Sequence, residues 1–212
     1  MIGDRWGVTD EDVARHYPCD DIVRTPVLQA WRGVTVDVSA EELWPWIGQI
    51  RLAPYSYDWI DNLGRRSPRE LRMMAEPVAG ERFTRSGGRP LGRILAVDPV
   101  EQLTARIVGA VMSCVLAPSG DGTRLLLKVV VAQGRWLAPF LSVGDLVMAR
   151  RQLLNLKKLA ERSAARPHDQ LARVTGYRSR SRNSSTPRVS SAAAAGSYDA
   201  SDESAKRCSC PG

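Results

Sequence analysis

The chain has 212 residues, enough for one domain of roughly 150 residues with an appendage and too few for two full domains. Its formal charge of +7 is uneven: residues 163–212 hold eight Lys or Arg against four Asp or Glu, which leaves the body only mildly basic. The excess therefore argues only weakly for a polyanion partner, since about half of it sits on that terminal segment, and apolar runs such as 107–116 reach only about half the length a bilayer helix needs.

Residues 1–26 mix acids, Arg and Pro with few apolar residues and read as an arm, with a short helix expected over Asp12 to His16 behind Thr9-Asp10-Glu11-Asp12. From Ala30 to Val38 the apolar residues Val34, Val36 and Val38 alternate with Thr35 and Asp37, the period of a half-buried strand. Ser39-Ala40-Glu41-Glu42 then forms a capping box, so a helix is expected to begin at Ala40, with Pro45 in its second turn kinking or shortening it.

Three of the six tryptophans and two of the five tyrosines fall between Trp44 and Trp59. Large rings with one polar tip suit the wall of an apolar cavity that orients a guest, and they equally suit an ordinary aromatic core. Residues 61–72 read as a polar surface crossing with a short helix start at Ser67-Pro68-Arg69-Glu70, and residues 73–90 as a Gly-, Pro- and Arg-rich loop containing a turn at Gly87-Gly88.

Strand patterns return at Gly92–Asp98, Gln102–Val108, Val111–Ala117 and Thr123–Ala132, the last two joined as an antiparallel hairpin through Pro118-Ser119-Gly120-Asp121-Gly122. From Ser142 to about Ser163 apolar residues at Leu146, Ala149, Leu153, Leu156 and Ala160 step by three and four, widened by Val147 and Leu154. Arg150, Arg151, Lys157, Lys158 and Arg162 take most of the remaining helix face. A sheet of five or more strands curling round one long terminal helix is an α+β arrangement. Residues 164–212 have too little apolar area to offset the entropy of ordering them, and are expected to form a disordered basic tail rich in Ser, Arg and Ala.

The segments Val34-Thr35-Val36, Ser39 to Trp44, Trp44-Pro45-Trp46, Tyr55-Ser56-Tyr57-Asp58-Trp59-Ile60-Asp61-Asn62 and Gly144 to Lys157 resemble uncharacterised bacterial proteins of the START-like, or SRPBCC, superfamily. The resemblance spans roughly residues 4–163. It implies the helix-grip fold over 27–163, a curved antiparallel sheet wrapped around a long C-terminal helix, with the arm before it and the tail after it. In that superfamily, which includes polyketide cyclases and lipid-transfer proteins, the space between sheet and helix holds a small hydrophobic ligand.

On this reading Trp44, Trp46, Tyr55, Tyr57, Asp58, Trp59, Arg106, Met148 and Leu154 are the candidate ligand-binding residues. A guest of about 300 Å² would contribute on the order of 7 kcal/mol before the entropic cost of binding. The leading expectation is a carrier or sequestering protein without catalysis. The alternatives are a cyclase or aromatase-like enzyme in which Tyr57 and Asp58 assist proton transfer, and an adaptor for nucleic acid or an anionic surface that works through the tail. His16 and His168 are too far apart in sequence to suggest a catalytic pair, Cys19, Cys114, Cys208 and Cys210 have no zinc spacing, and no phosphate loop is visible. No metal or other cofactor is expected, nor membrane insertion, and a reducing cytoplasm is the expected compartment.

Overall fold

Five hairpin-linked strands carry most of the sheet, and each of their four turns holds a residue at positive φ, Val100 at 68° in the second of them. In the computed structural model, which describes residues 4–60, 62–132 and 138–165 (138–146 as backbone alone), β3 (Arg82–Ser86) turns into β4 (Arg89–Asp98) through Gly87 and Gly88, at φ 57° and 84°. Strand β5 (Gln102–Ile107) turns into β6 (Ala110–Ser119) through Val108 and Gly109, at φ 43° and 80°. Strand β7 (Gly122–Val131) follows β6 through Gly120 and Asp121, with Gly120 at φ 57°. Two-residue loops with positive φ match the right-handed twist of paired strands, which is why glycine recurs there.

The N-terminal half closes this meander. Strand β1 (Arg5–Trp6) runs parallel to β2 (Leu28–Val36), and β2 pairs antiparallel with β7, giving the order β1-β2-β7-β6-β5-β4-β3. Helices α1 (Asp10–Ala14) and α2 (Pro18–Ile22) lie between β1 and β2 in sequence. Helix α3 (Ala40–Gly48) starts at its capping box, with Glu42 N donating to Ser39 Oγ and Ser39 N donating to Glu42 Oε2. Pro45 does not break it, but the α-helical pattern stops three residues later and continues as a 3₁₀ turn, Gln49–Arg51. Helix α4 (Ala138–Ala164) closes the chain's described part.

The main core fills the concave side of the sheet against α3 and α4. Val36, Leu43, Trp46, Ile47, Ile50, Leu103, Leu125, Leu127, Leu153 and Leu156 are all buried in it. On α4 the buried stripe is Ala149, Leu153, Leu156 and Ala160, whereas Val147 is 46% exposed and does not widen it. The topology therefore shows the expected α+β helix-grip arrangement: a curved, mostly antiparallel sheet closed on a long C-terminal helix.

The convex side is not left to solvent where the arm crosses it. Tyr17 and Cys19 pack with Val111, Leu126 and Val130 in a second, smaller cluster. Lys128, on the outward face of β7, is 5% exposed and its Nζ donates to Asp20 Oδ1 at 2.5 Å, with the rings of Tyr17 and Trp31 5.3 and 5.0 Å away. Arg124 pairs with Asp12 at 2.7 Å and also donates to the Gly7 carbonyl. Cys19 N donates to Ser113 Oγ at 3.0 Å. Beyond the arm the register puts Arg106, Arg93 and Arg82 side by side across β5, β4 and β3, continuing the outward row of Val111 and Val130, and all three arginines are exposed.

Several expectations need correction. The arm's first helix is Asp10–Ala14 rather than Asp12–His16, because Thr9 is the residue that caps it, accepting from Asp12 N while Asp12 accepts from Thr9 N. Residues 67–70 form no helix. Residues 82–86, read as loop, form β3, an edge strand in which only Phe83 and Thr84 are buried. Helix α4 begins at Ala138, four residues before Ser142. Among the described residues no helix is long and apolar enough to cross a membrane. The expected disordered tail, with His168, Cys208 and Cys210, lies outside the described residues.

Candidate functional site

The packing of sheet against α4 leaves a cavity of about 180 Å³ towards the β3–β4 side. Its sheet wall consists of residues of successive strands: Phe83 and Thr84 of β3, Leu91 of β4, Ile107 of β5, Met112 of β6 and Leu127 of β7, with Ser86 at the hairpin. Met148, Ala149 and Gln152 of α4 close it from above, and Ile50, Pro54 and Ser56 from the side. Ile107, Met112 and Leu127 share the inward face because side chains alternate along each strand and the register aligns them, whereas Phe83 and Thr84, consecutive in β3, reach the space at the sheet's edge. Thr84 Oγ1 donates to the Ile50 carbonyl at 2.8 Å and Gln152 Nε2 to the Pro54 carbonyl at 2.6 Å, so the polar atoms at the margin hold the wall together.

None of the described lining residues is titratable. What this wall offers chemically is an apolar surface for one side of a guest, with hydroxyl and amide groups at its margin. Engineered apolar cavities of about 150 Å³ admit a benzene ring, which sets the scale of what fits.

The sequence-predicted residues divide into three groups. Met148 lines the cavity. Trp44, Trp46 and Tyr55 are buried at 3%, 0% and 2% exposure but do not line it. Trp44 Nε1 donates to Glu76 at 2.8 Å, Trp46 stands edge-on to Tyr55 with ring centres 6.4 Å apart, and the Tyr55 hydroxyl accepts from Gln49 Nε2 at 2.6 Å. The aromatic run is mainly core. Tyr55 sits at φ 59°, a strained conformation for a ring-bearing residue, and burial pushes its phenol pKa up to about 12 against the smaller opposing effect of the Gln49 hydrogen bond.

Tyr57, Asp58 and Trp59 lie together in a different, polar cleft between the 55–69 loop and α4. Both Asp58 oxygens accept from Ser67, Oδ2 from its N–H at 3.0 Å and Oδ1 from its hydroxyl at 2.5 Å, so this carboxylate ties the loop. Trp59 is 74% exposed. Arg106 stands on the convex face beside Val111, away from the cavity, and half-buried Leu154 does not line it. The residues that sequence reasoning missed are chiefly Phe83, Thr84, Leu91 and Gln152. Gln152 carried a signal, since it follows Met148 by one helical turn, whereas β3 gave none.

A wider groove of about 680 Å³ lies elsewhere, between the arm at Arg15 and His16 and the strand ends at Gln102, Leu116 and Thr123. Its acid Asp98 accepts from Gln102 Nε2 at 2.6 Å, and His16 contacts exposed Asp21 at 3.1 Å. Neither group turns towards a shared reacting point. Among the described residues no group of three or more His, Cys, Asp or Glu could hold a metal ion.

The architecture defines the class of protein as a helix-grip fold with an apolar pocket between sheet and terminal helix. Comparison of the sequence with protein-family models and with curated proteins finds no match to either. The structure is similar to that of protein MLL2253 from Mesorhizobium loti, at TM-score 0.46 and 18% identity over 64% of this chain and 98% of that one. It is also similar to the Polyketide_cyc-like protein Cgl2372 from Corynebacterium glutamicum, at TM-score 0.43 and 10% identity over 68% and 97%. A further likeness is to protein Ms6760 from Mycobacterium smegmatis, at TM-score 0.43 and 13% identity over 67% and 94%.

Proposed function

We propose that the protein belongs to the START-like superfamily and binds a small hydrophobic molecule, or the ring-sized apolar end of a larger one, between the sheet and α4, as a carrier or sequestering protein. The observation that carries this reading is the 180 Å³ apolar space whose described lining holds no titratable side chain. A wall of that chemistry favours retention of a guest over proton transfer to it.

The space is smaller than the guest that the sequence alone suggested. A single ring burying roughly 150 Å² gains about 4 kcal/mol before the entropic cost of binding, so its affinity is weaker than about 1 mM once that cost is subtracted. Tighter binding needs a ligand that continues past Ser56 and Gln152 or a wall that yields.

The test is uptake of toluene by the full chain, followed by its effect on Tm and on methyl NMR signals of the lining Met and Leu residues, beside mass spectrometry for a co-purifying apolar molecule. Ala149→Leu, which puts a branched side chain into the space, is expected to abolish the toluene effect while preserving the fold. Toluene perturbation that persists in Ala149→Leu, or absence of any guest in the wild-type chain, would overturn the proposal.

A further inference from the structure

The polar cleft that takes Tyr57, Asp58 and Trp59 has a volume of about 270 Å³ and shares only Ser56 with the apolar cavity. Arg151, Lys158 and Arg162 reach its lining from α4, with Asn155 on the same stripe, and Arg69 comes from the loop opposite. Residues at i, i+4, i+7 and i+11 share one helix face, so the cations stand in a row. Asn155 Nδ2 donates to the carbonyls of Tyr55 at 2.9 Å and Ser56 at 3.3 Å, which fixes the loop against that row.

The charge of this cleft is unbalanced. Asp58 is the one carboxylate in its lining, and Ser67 already occupies both of its oxygens. Among the described residues none of the four cations has a carboxylate partner. All four are exposed, whereas the more buried cations elsewhere are paired: Arg51 with Glu81 at 2.7 Å, Arg124 with Asp12, and Lys128 with Asp20. On α4 itself Lys157, one residue from Lys158, lies near both Asp37 and Glu161. Like charges at i and i+4, as at Lys158 and Arg162, repel each other unless an anion lies between them. The Arg151 guanidinium also rests 5.7 Å from the Tyr57 ring centre, which holds it near the cleft, and Trp59 offers an exposed ring in the same lining.

We propose that this cleft binds a phosphate group, carried on a small molecule whose adjoining apolar part lies against Trp59. A carboxylate is satisfied by one Arg, whereas a phosphate dianion presents oxygens in several directions and accepts from cations on both sides of a cleft. The proposal does not rest on the apolar cavity and stands or falls separately from it.

Isothermal titration of the full chain at low ionic strength with inorganic phosphate and with phenyl phosphate tests it. Sedimentation with phosphatidylcholine vesicles, with and without phosphatidic acid, distinguishes a lipid headgroup from a soluble ester. Saturable binding is expected, tighter for phenyl phosphate, with the difference removed by Trp59→Ala. The double variant Arg151→Gln/Lys158→Gln is expected to weaken binding roughly tenfold or more. The control Arg93→Gln/Arg106→Gln removes the same charge from the convex face and is expected to leave affinity unchanged. If the first double variant does not fold, Arg69→Gln/Arg162→Gln tests the cleft from its two sides. Cleft-dependent binding of phosphatidic acid vesicles alone supports the same site with a lipid as its source. Absence of saturable binding in every arm, or equal weakening in the cleft and control variants, overturns the proposal.

Discussion

The concave face of the sheet meets α3 and α4 through uncharged side chains such as Leu43, Ile47, Leu125 and Leu153, while the convex face meets the arm through Arg124–Asp12, Lys128–Asp20 and the Tyr17 hydroxyl, which donates to the Asp12 carbonyl at 2.7 Å. The first contact is non-directional and grows with area, so it tolerates a residual cavity. The second depends on a few charged groups removed from water, each of which needs its partner. One sheet therefore shows two ways of covering a face, one by apolar area and one by paired charges.

Substitutions that strike each face separately would sharpen or break this contrast. Trp46→Ala, at a position with no exposure, is expected to cost about 4 kcal/mol in denaturant unfolding. Asp20→Ala leaves Lys128 buried without its partner and is expected to cost about 2 kcal/mol, with much of the loss recovered in Asp20→Ala/Lys128→Met. If Asp20→Ala were silent, the convex face would be held by its small apolar cluster instead.

Titration probes the arm contact as well. Burial, reinforced by nearby Asp12, pushes the Tyr17 phenol up to about 12 from 10.0. Its contribution is fully present below pH 10 and is lost as pH rises towards 12. Stability measured across that window should fall less steeply in Tyr17→Phe, though not become flat, because Tyr55 and Cys114 are also raised to about 12. For Asp12, burial works against the charged form, but hydrogen bonds from Arg124 and Thr9 and the Arg124 charge outweigh it and hold the carboxyl below 3.8. That contribution is present above pH 3.8 and is lost as pH falls through the lowered value, so Asp12→Asn should flatten the acid limb of the same curve.

Two smaller effects lie at turns and exposed rows. Val108 combines a β-branched side chain with φ 43° in the β5–β6 hairpin and is 82% exposed. Val108→Asn, which tolerates that conformation beside Gly109, should stabilise the protein by about 1 kcal/mol in thermal unfolding. Arg106→Glu turns a like-charge cross-strand pair with Arg93 into an opposite one and should add about 0.5 kcal/mol, an effect that salt diminishes.

What could be read from the sequence was what depends on neighbours in the chain. Alternation identified β2 and β4 to β7, the Ser39–Glu42 box identified the start of α3, and the three-four stepping of Ala149, Leu153, Leu156 and Ala160 identified the face of α4. Features that depend on distant partners escaped. Strand β3 has a single buried apolar residue, Phe83, and exists because β4 pairs with it. Helix α2 is five residues long and is held by Ser113 and Lys128, on strands far along the chain. The aromatic run misled for the same reason: composition marked Trp46 and Tyr55 as rings needing cover, but only packing decides whether cover comes from the protein or from a guest. Met148 is the one residue of the predicted set that lines the cavity, beside Ala149 of the buried stripe.

The strand order also sets a sequence of events. From β3 to β7 every pairing joins strands adjacent in the chain, so each forms by closing a short loop, whereas Leu28 must find Val131 across most of the domain. Loop-closure entropy places that encounter last. The meander therefore assembles first with its outward face bare, and β2 arrives together with the arm that covers Leu126 and Val130. Until then those residues lack the cover that Tyr17 and Cys19 give them in the folded chain.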